Sequence, residues 1–525
     1  MSVHLPETRA PGTYPADPDF PQLDVAADPG RMLDVFRSHL KPVPGQSYRI
    51  EGCTPFRFRC RQSGGSRCVL QYTLHLVDPG TGRTRDQWVT GVIYTRGGEA
   101  ERLWREMRAT DPRSEIPEEW QTFEPVDFIP DLDMLVQVFP CDRKLRQLGH
   151  VLGGGCAAVE PLLLGRQAPG WRRAGKPAFE PTRYRTELGA AFRLSVDAHA
   201  QDGAGRETLR GYVKVYRNER GSQTLHLLRA MARPGGATAG GYSLIQPLGY
   251  VAETRALVLE EAQGESLQQI LLRGGDAMTA ARLGARATAD FHRHAPPIPR
   301  PHDLRDQLAD IRKAATLVGW AVPELQPEAD AIAATLVRDL REAPPAPIHR
   351  DLKPDHVFIS GPRVTFIDLD SVAMGDPVRD AAHMFAYVIG RAGLEVIPHE
   401  RTRAVGAAFV DEYFANVPED WCARFPLHCA GALLEVASGI FRHQRPGWRQ
   451  QMVEVVAEAR AWCPPGADHG DPRAWPGRAR EAVHGNAGKN PEVERRSPDG
   501  DSSIGRDPET STTRPFHTGG AEITG

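Results

Sequence analysis

The residue types best suited to chemistry fall between positions 347 and 387, PIHRDLKPDHVFISGPRVTFIDLDSVAMGDPVRDAAHMFAY. Asp351 stands just before a short apolar run at 357–359, and Asp368 closes a second run at 364–368. Ser360, Gly361 and Pro362 lie between them and have the chemistry of a tight turn. The two runs therefore predict a β-hairpin that folds both carboxylates back to one end. Two acids beside a polar side chain at 356 suit a hard cation and a hydroxyl nucleophile, the arrangement phosphoryl transfer uses. Any one of these acids alone would be read as a solvated turn carboxylate. It is the set, in order, that points to chemistry.

Taken together, HRDLKPDH (349–356), FIDLD (366–370) and GDPVRD (375–380) resemble the catalytic core of the aminoglycoside phosphotransferase and choline kinase superfamily, relatives of the protein kinases. Every element of the family pattern is present except the Asn expected at 356, and the resemblance covers about residues 178–463. It implies an α+β, two-lobed protein-kinase-like fold with a β-rich N-lobe and a helical C-lobe. It also implies ATP and Mg2+ as cofactors and a small hydroxylated molecule as substrate. In that reading Asp351 orients the acceptor hydroxyl and takes its proton, and Lys353 touches the transferred phosphate. Asp368 binds the metal, with His356 in the Asn position and Asp370 near the ion. His349 shapes the loop, while Asp376 and Asp380 brace it. GYVKVYR (211–217) resembles the strand bearing the phosphate-binding lysine, Lys214. LVLEEAQGESL (257–267) resembles the hinge between lobes, where the backbone around Glu260, Glu261 and Ala262 reads the adenine edge. Ser266 is placed to cap the helix that follows. TELGAAF (186–192) is the candidate phosphate-covering loop.

Three departures from the pattern matter. His356 is an imidazole where the family has an amide oxygen, and magnesium prefers oxygen ligands. No Glu occurs between Glu219 and Glu253, so the usual partner of the lysine is missing from its helix, and Gln223 or His226 is the expected substitute. HRDLKP resembles a protein kinase loop in its letters, yet Asp368-Leu369-Asp370 stands where such kinases have Asp-Phe-Gly, and no room is left for an activation segment. The leading expectation is an ATP-dependent O-phosphotransferase; the alternative is a pseudokinase that binds nucleotide or serves as a scaffold.

The elements that must position these residues change texture once. Residues 45–272 are rich in strand-like segments, and 273–463 are mostly helical. The β-rich part is longer than one lobe needs, and it repeats. TPFRFR (54–59) resembles EPTRYR (180–185), and an offset of 122 relates Tyr94 to Tyr216, Leu103 to Leu225 and Leu135-Val136 to Leu257-Val258. The first copy has Val92 in place of Lys214 and no catalytic core after it, so it reads as a degenerate N-lobe-like repeat. The expected division is a flexible leader at 1–30, the degenerate domain at 31–165, the nucleotide-binding N-lobe at 166–272, the catalytic C-lobe at 273–463 and a disordered tail at 464–525.

Composition closes off other classes. A net charge of −3 over 525 residues lacks the basic footprint of a nucleic-acid binder, and no apolar run suits a membrane span, so neither partner is expected and the location expected is cytoplasmic. Eight cysteines with no C-x2-C pair argue for reduced thiols rather than zinc or a disulfide frame. Only seven of the 64 basic residues are lysine, Lys214 and Lys353 among them, which singles these two out where a compact ammonium is needed.

Overall fold

The structure is a computed structural model and describes residues 14–60, 67–153, 156–165, 171–200, 205–231 and 241–463. The expected tail at 464–525 lies outside the described residues. The chain opens with α1 (Leu23–Ala26) and α2 (Pro29–His39), the latter capped by the Asp28 carboxylate. A first sheet follows, built from β1 (Arg49–Cys60), β2 (Arg67–Val77), β3 (Thr84–Tyr94), β4 (Val126–Ile129) and β5 (Met134–Val138), with α3 (Glu99–Arg108) between β3 and β4. After α4 (Gln147–Leu152) and α5 (Cys156–Leu164) comes a second sheet of β6 (Trp171–Arg173), β7 (Ala178–Arg185), β8 (Gly189–Ala200), β9 (Arg206–Tyr216), β11 (Pro247–Val251) and β12 (Ala256–Glu260). Between β9 and β11 lie α6 (Arg220–Met231) and the short β10 (Ser243–Leu244).

The two sheets share one plan. The first runs β1-β2-β3-β5-β4, and the second runs β7-β8-β9-β12-β11 with β6 also on β8. Their registers correspond at the offset of 122: Val92 pairs with Val69 and Leu135, and Lys214 pairs with Ala191 and Leu257. The edge strands even share a defect. The ladder slips between Pro55 and Arg57 in β1 and between Pro181 and Arg183 in β7, where a proline offers no N–H to the neighbour.

The helical lobe begins at β13 (Glu265–Ser266) and α7 (Leu267–Leu272). Ser266 accepts from the Gln269 amide while Gln269 reaches back to Ser266 N, a reciprocal cap. Gly264 before it has φ +88°, and a Cβ there would sit 2.1 Å from the Ile359 carbonyl, so the lobe junction needs glycine. The lobe continues through α8 (Ala277–His294), α9 (Leu304–Ala321), α10 (Gln326–Asp339), β14 (Ala346–Ile348), β15 (Val357–Ser360), β16 (Arg363–Phe366) and β17 (Ala373–Gly375). It ends with α11 (Val378–Ile389), α12 (His399–Phe414), α13 (Phe425–His443) and α14 (Trp448–Trp462). The result is the expected α+β, two-lobed body.

Two boundaries differ from expectation. Residues 14–30 are not a free leader: Tyr14, Phe20, Leu23 and Ala26 are buried, and Tyr14 packs on Phe58 at 4.5 Å. The Pro and Asp that made the stretch look mobile form turns between these anchors, and Asp17 accepts from the Trp320 indole at 2.8 Å. Phe139, Leu148, Val151 and Leu163, expected in the first domain, share a core with Phe192, Val213 and Val258 of the second sheet, while Phe139 also keeps Trp88 of β3 at 5.4 Å.

Candidate active site

The hairpin forms as the turn chemistry demands. β15 and β16 pair with Ser360 opposite Arg363, and Gly361 takes φ +58° in the turn. β14, paired with β17, delivers the loop from His349 onward. That loop is braced from α11: Asp380 accepts from the backbone of His349 at 2.5 Å and Arg350 at 2.8 Å, and from the His292 ring at 3.1 Å. Burial works to raise the Asp380 pKa, but His292, with the charges of His349 and Arg379, holds it well below its ordinary value. His349 donates from Nε2 to the Ile367 carbonyl at 2.8 Å, tying the loop to the end of β16. Asp376 is half-buried and likewise held low by His428 and Arg424.

With the loop fixed, ligand atoms of Asp351, His356 and Asp368 come within 4.8 Å of one another. The tautomer of His356 follows from its contacts. Nδ1 lies 2.7 Å from the Asp351 carbonyl, which only accepts, so Nδ1 carries the proton and Nε2 presents a lone pair. Burial first, and then Lys353 and His349, push the His356 pKa well below normal, so the ring is neutral. Its Nε2 faces Asp368 Oδ2 at 3.6 Å, and both atoms are buried with no hydrogen-bond partner. Two unpaired acceptors turned on each other in a buried site fit a bound cation. Lys353, buried beneath the Tyr387 ring, sits 3.9 Å from Asp351 and 3.7 Å from Asp355. Burial raises the Asp355 pKa to about 7 despite that ammonium.

Lys214 reaches the site from β9. Its ammonium lies 2.5 Å from Asp368 and 3.1 Å from Asp370. Asp370 therefore stands outside the Asp351–His356–Asp368 group. Its Oδ1 accepts from Tyr216 at 2.8 Å and from Thr224 at 2.9 Å while Oδ2 faces Lys214. The lysine's missing helix partner is thus replaced from the C-lobe, and neither Gln223 nor His226 takes that place. Burial opposes the Lys214 charge, but the two aspartates raise its pKa above normal. The same ammonium, with Arg183, holds Asp368 low against its own burial.

Above this lies a cavity of about 380 Å3 lined by Arg183, Arg185, Gly189, Lys214, Arg220 and Asp368 among others. Its roof is the candidate phosphate-covering turn between β7 and β8, and the first sheet grips that turn. Glu187, fully buried at φ +62°, pairs with Arg67 at 2.6 Å and Arg143 at 2.8 Å. Its amide donates to Asp142 at 2.7 Å, and Arg59 donates to the Thr186 carbonyl at 3.0 Å. The hinge residues do not line this cavity. Glu260 N donates to the Gln246 carbonyl at 3.0 Å, and the Glu261 carboxylate takes Arg193 at 2.6 Å. Ala262 packs against the main core.

Asp351, Lys353, His356 and Asp368 are brought together, Lys214 meets them through Asp368, and Glu260, Glu261 and Ala262 stand apart. Sequence reasoning missed Arg183, Arg185, Asp355 and the grip on Glu187. The arginines did leave a signal, since Arg57 and Arg59 recur as Arg183 and Arg185 in the two matched hexapeptides.

A model of a phosphotransferase enzyme family matches residues 200–421. Among solved structures the chain is similar to a choline/ethanolamine kinase family protein from Mesorhizobium loti, at 16% identity over 63% of this chain and 99% of that one, TM-score 0.37. It is also similar to choline kinase from Cryptosporidium parvum, at 10% identity over 59% and 95%, TM-score 0.40. A third is an amicoumacin kinase solved with AMP-PNP and Ca2+, at 13% identity over 59% and 97%, TM-score 0.37. No curated protein matches the chain. No helix among the described residues is long and apolar enough to cross a membrane.

Proposed function

We propose, from the match of residues 200–421 to the model of a phosphotransferase enzyme family, that the chain transfers the γ-phosphate of ATP to a hydroxyl of a small molecule. The supporting observation is the pair of buried, unpartnered acceptors, His356 Nε2 and Asp368 Oδ2, beside the Asp351 carboxylate. These three residues would hold a divalent cation, which when bound neutralises charge on the phosphates. Asp351 orients the acceptor hydroxyl and receives its proton as the acceptor oxygen bonds to the γ-phosphorus. The bond from that phosphorus to the β,γ-bridging oxygen breaks, and ADP leaves. Lys353, 3.9 Å from Asp351, is placed to steady the transferred group, and Lys214 to hold the donor phosphates once it releases Asp368. Rate enhancement then rests on positioning and preorganised charge.

Calorimetry of ATP binding with and without Mg2+, for the intact chain and Asp368→Asn, tests this reading. Magnesium-dependent binding that disappears in the variant is the expected result. A second reading, a pseudokinase, is favoured by the imidazole at 356 and by the Arg193–Glu261 pair beside the hinge. Binding indifferent to magnesium and to the substitution would select it.

A further inference from the structure

We propose that Cys60 and Cys68 are a redox-sensitive pair, closed to a disulfide by a small-molecule disulfide such as oxidised glutathione, and that the new bond clamps the β7–β8 turn. Nothing in this inference rests on the phosphotransferase reading.

Cys60 ends β1, Cys68 stands second in β2, and the two are directly opposite in the antiparallel ladder. Side chains at opposed positions share one face of the sheet. The two sulfurs lie 3.0 Å apart, with the Cys68 thiol donating to Cys60 Sγ. Opposed residues in such a ladder have Cα atoms about 4.5 or 5.5 Å apart, inside the about 4.4–6.8 Å that disulfides span. A bond can therefore form without breaking the ladder. The thiols are not equally accessible, because Cys60 is half-buried and Cys68 is fully buried. Burial pushes the Cys68 pKa up, so it stays a thiol until its neighbour has reacted.

Accessibility sets the order of steps. The Cys60 thiolate attacks one sulfur of the small disulfide, and one small thiolate leaves. Cys68 then gives up its proton and attacks the Cys60 sulfur, and the second small thiolate leaves. Two protein thiols are oxidised and the small disulfide is reduced to two thiols, so electrons and protons balance. Contact between the sulfurs makes the second attack intramolecular and favours it over release of Cys60.

The bond acts through the neighbouring residues. Arg59 precedes Cys60 and Arg67 precedes Cys68, and strand alternation turns both arginines to the other face of the sheet. There Arg59 donates to the Thr186 carbonyl at 3.0 Å, and Arg67 pairs with the buried Glu187 at 2.6 Å. The turn they hold carries Leu188 and Gly189, which line the cavity together with Lys214. The strand ends that the disulfide ties together are thus the ones that grip this turn. Tying them takes freedom from the hairpin arms and, through the arginines, from the turn.

The test compares the full chain reduced with dithiothreitol and the full chain treated with oxidised glutathione. Peptide mapping of the treated chain should find Cys60 joined to Cys68 with the loss of two hydrogens, and dithiothreitol should reverse it. Hydrogen exchange at residues 186–191 should slow several-fold in the oxidised chain, relative to the rest of the second sheet. Cys68→Ser should instead keep glutathione on Cys60 and show no slowing. The wild-type comparison needs no substitution, so a variant that misfolds leaves the test intact. Glutathione retained on Cys60 of the wild type, a bond to any other cysteine, or no reaction at all would overturn the pair. A Cys60–Cys68 bond with unchanged exchange at 186–191 would overturn the clamp.

Discussion

A neutral imidazole with its lone pair on a carboxylate oxygen sets the character of the cation site. Nitrogen donors favour later and softer divalent ions over magnesium, which demands oxygen. The wild-type protein is therefore expected to bind nucleotide better with Mn2+ than with Mg2+, and His356→Asn should lower that ratio about fivefold or more by titration. An unchanged ratio would mean that His356 does not touch the ion. A different histidine governs acid stability. Burial, followed by Arg379 and Arg350, pulls the His302 pKa down to about 4, with Asp310 and Asp380 acting the other way. The unfolded chain takes up that proton near 6.5, while the folded chain resists it until about 4. The contribution is thus intact above pH 6.5 and is lost as pH falls towards 4. His302→Gln should flatten the pH dependence of the urea-derived stability over that window by about 3 kcal/mol; an unaltered slope would place the acid sensitivity elsewhere.

At the scale of the element, the β7–β8 turn stands out. In a two-lobed kinase fold a loop over the phosphates is free to close, but here its tip is tied to the first sheet by a buried glutamate between two arginines. Removing one partner of such a cluster leaves uncompensated buried charge. Glu187→Gln is expected to cost about 3 kcal/mol of stability and to speed hydrogen exchange at residues 186–191 ahead of the rest of the lobe. Uniform exchange across the lobe would show that the grip is passive packing.

At the scale of the whole molecule, the first sheet and the segment before it are parts of one body. Tyr14, Phe20 and Leu23 are buried, and Phe58 bridges to α9 and α13 through Trp320 and Phe441. At about 1.5–3 kcal/mol for each large apolar side chain, deleting residues 1–30 should cost about 5 kcal/mol. The thermal midpoint should fall by several degrees or more; a midpoint left unmoved would restore the leader reading.

What the sequence determined by itself is what short range decides. The Ser360-Gly361-Pro362 turn, the Ser266 cap, the order of acids from Asp351 to Asp380 and the offset of 122 between the sheets all rest on backbone preferences or on repeated letters. Local physics delivers Asp351 and Asp368 to one end of a hairpin whatever surrounds it. Tertiary structure alone decided which buried charges would meet. Asp370 turned from the cation group to Lys214, 156 residues away, because Tyr216 and Thr224 offered it donors there. Glu187 met Arg67 and Arg143 by packing too, and residues 14–30 settled into the core where Tyr14 and Phe20 found partners. A buried charge must be paired, but the identity of its partner is a property of packing, and packing is not written in spacing.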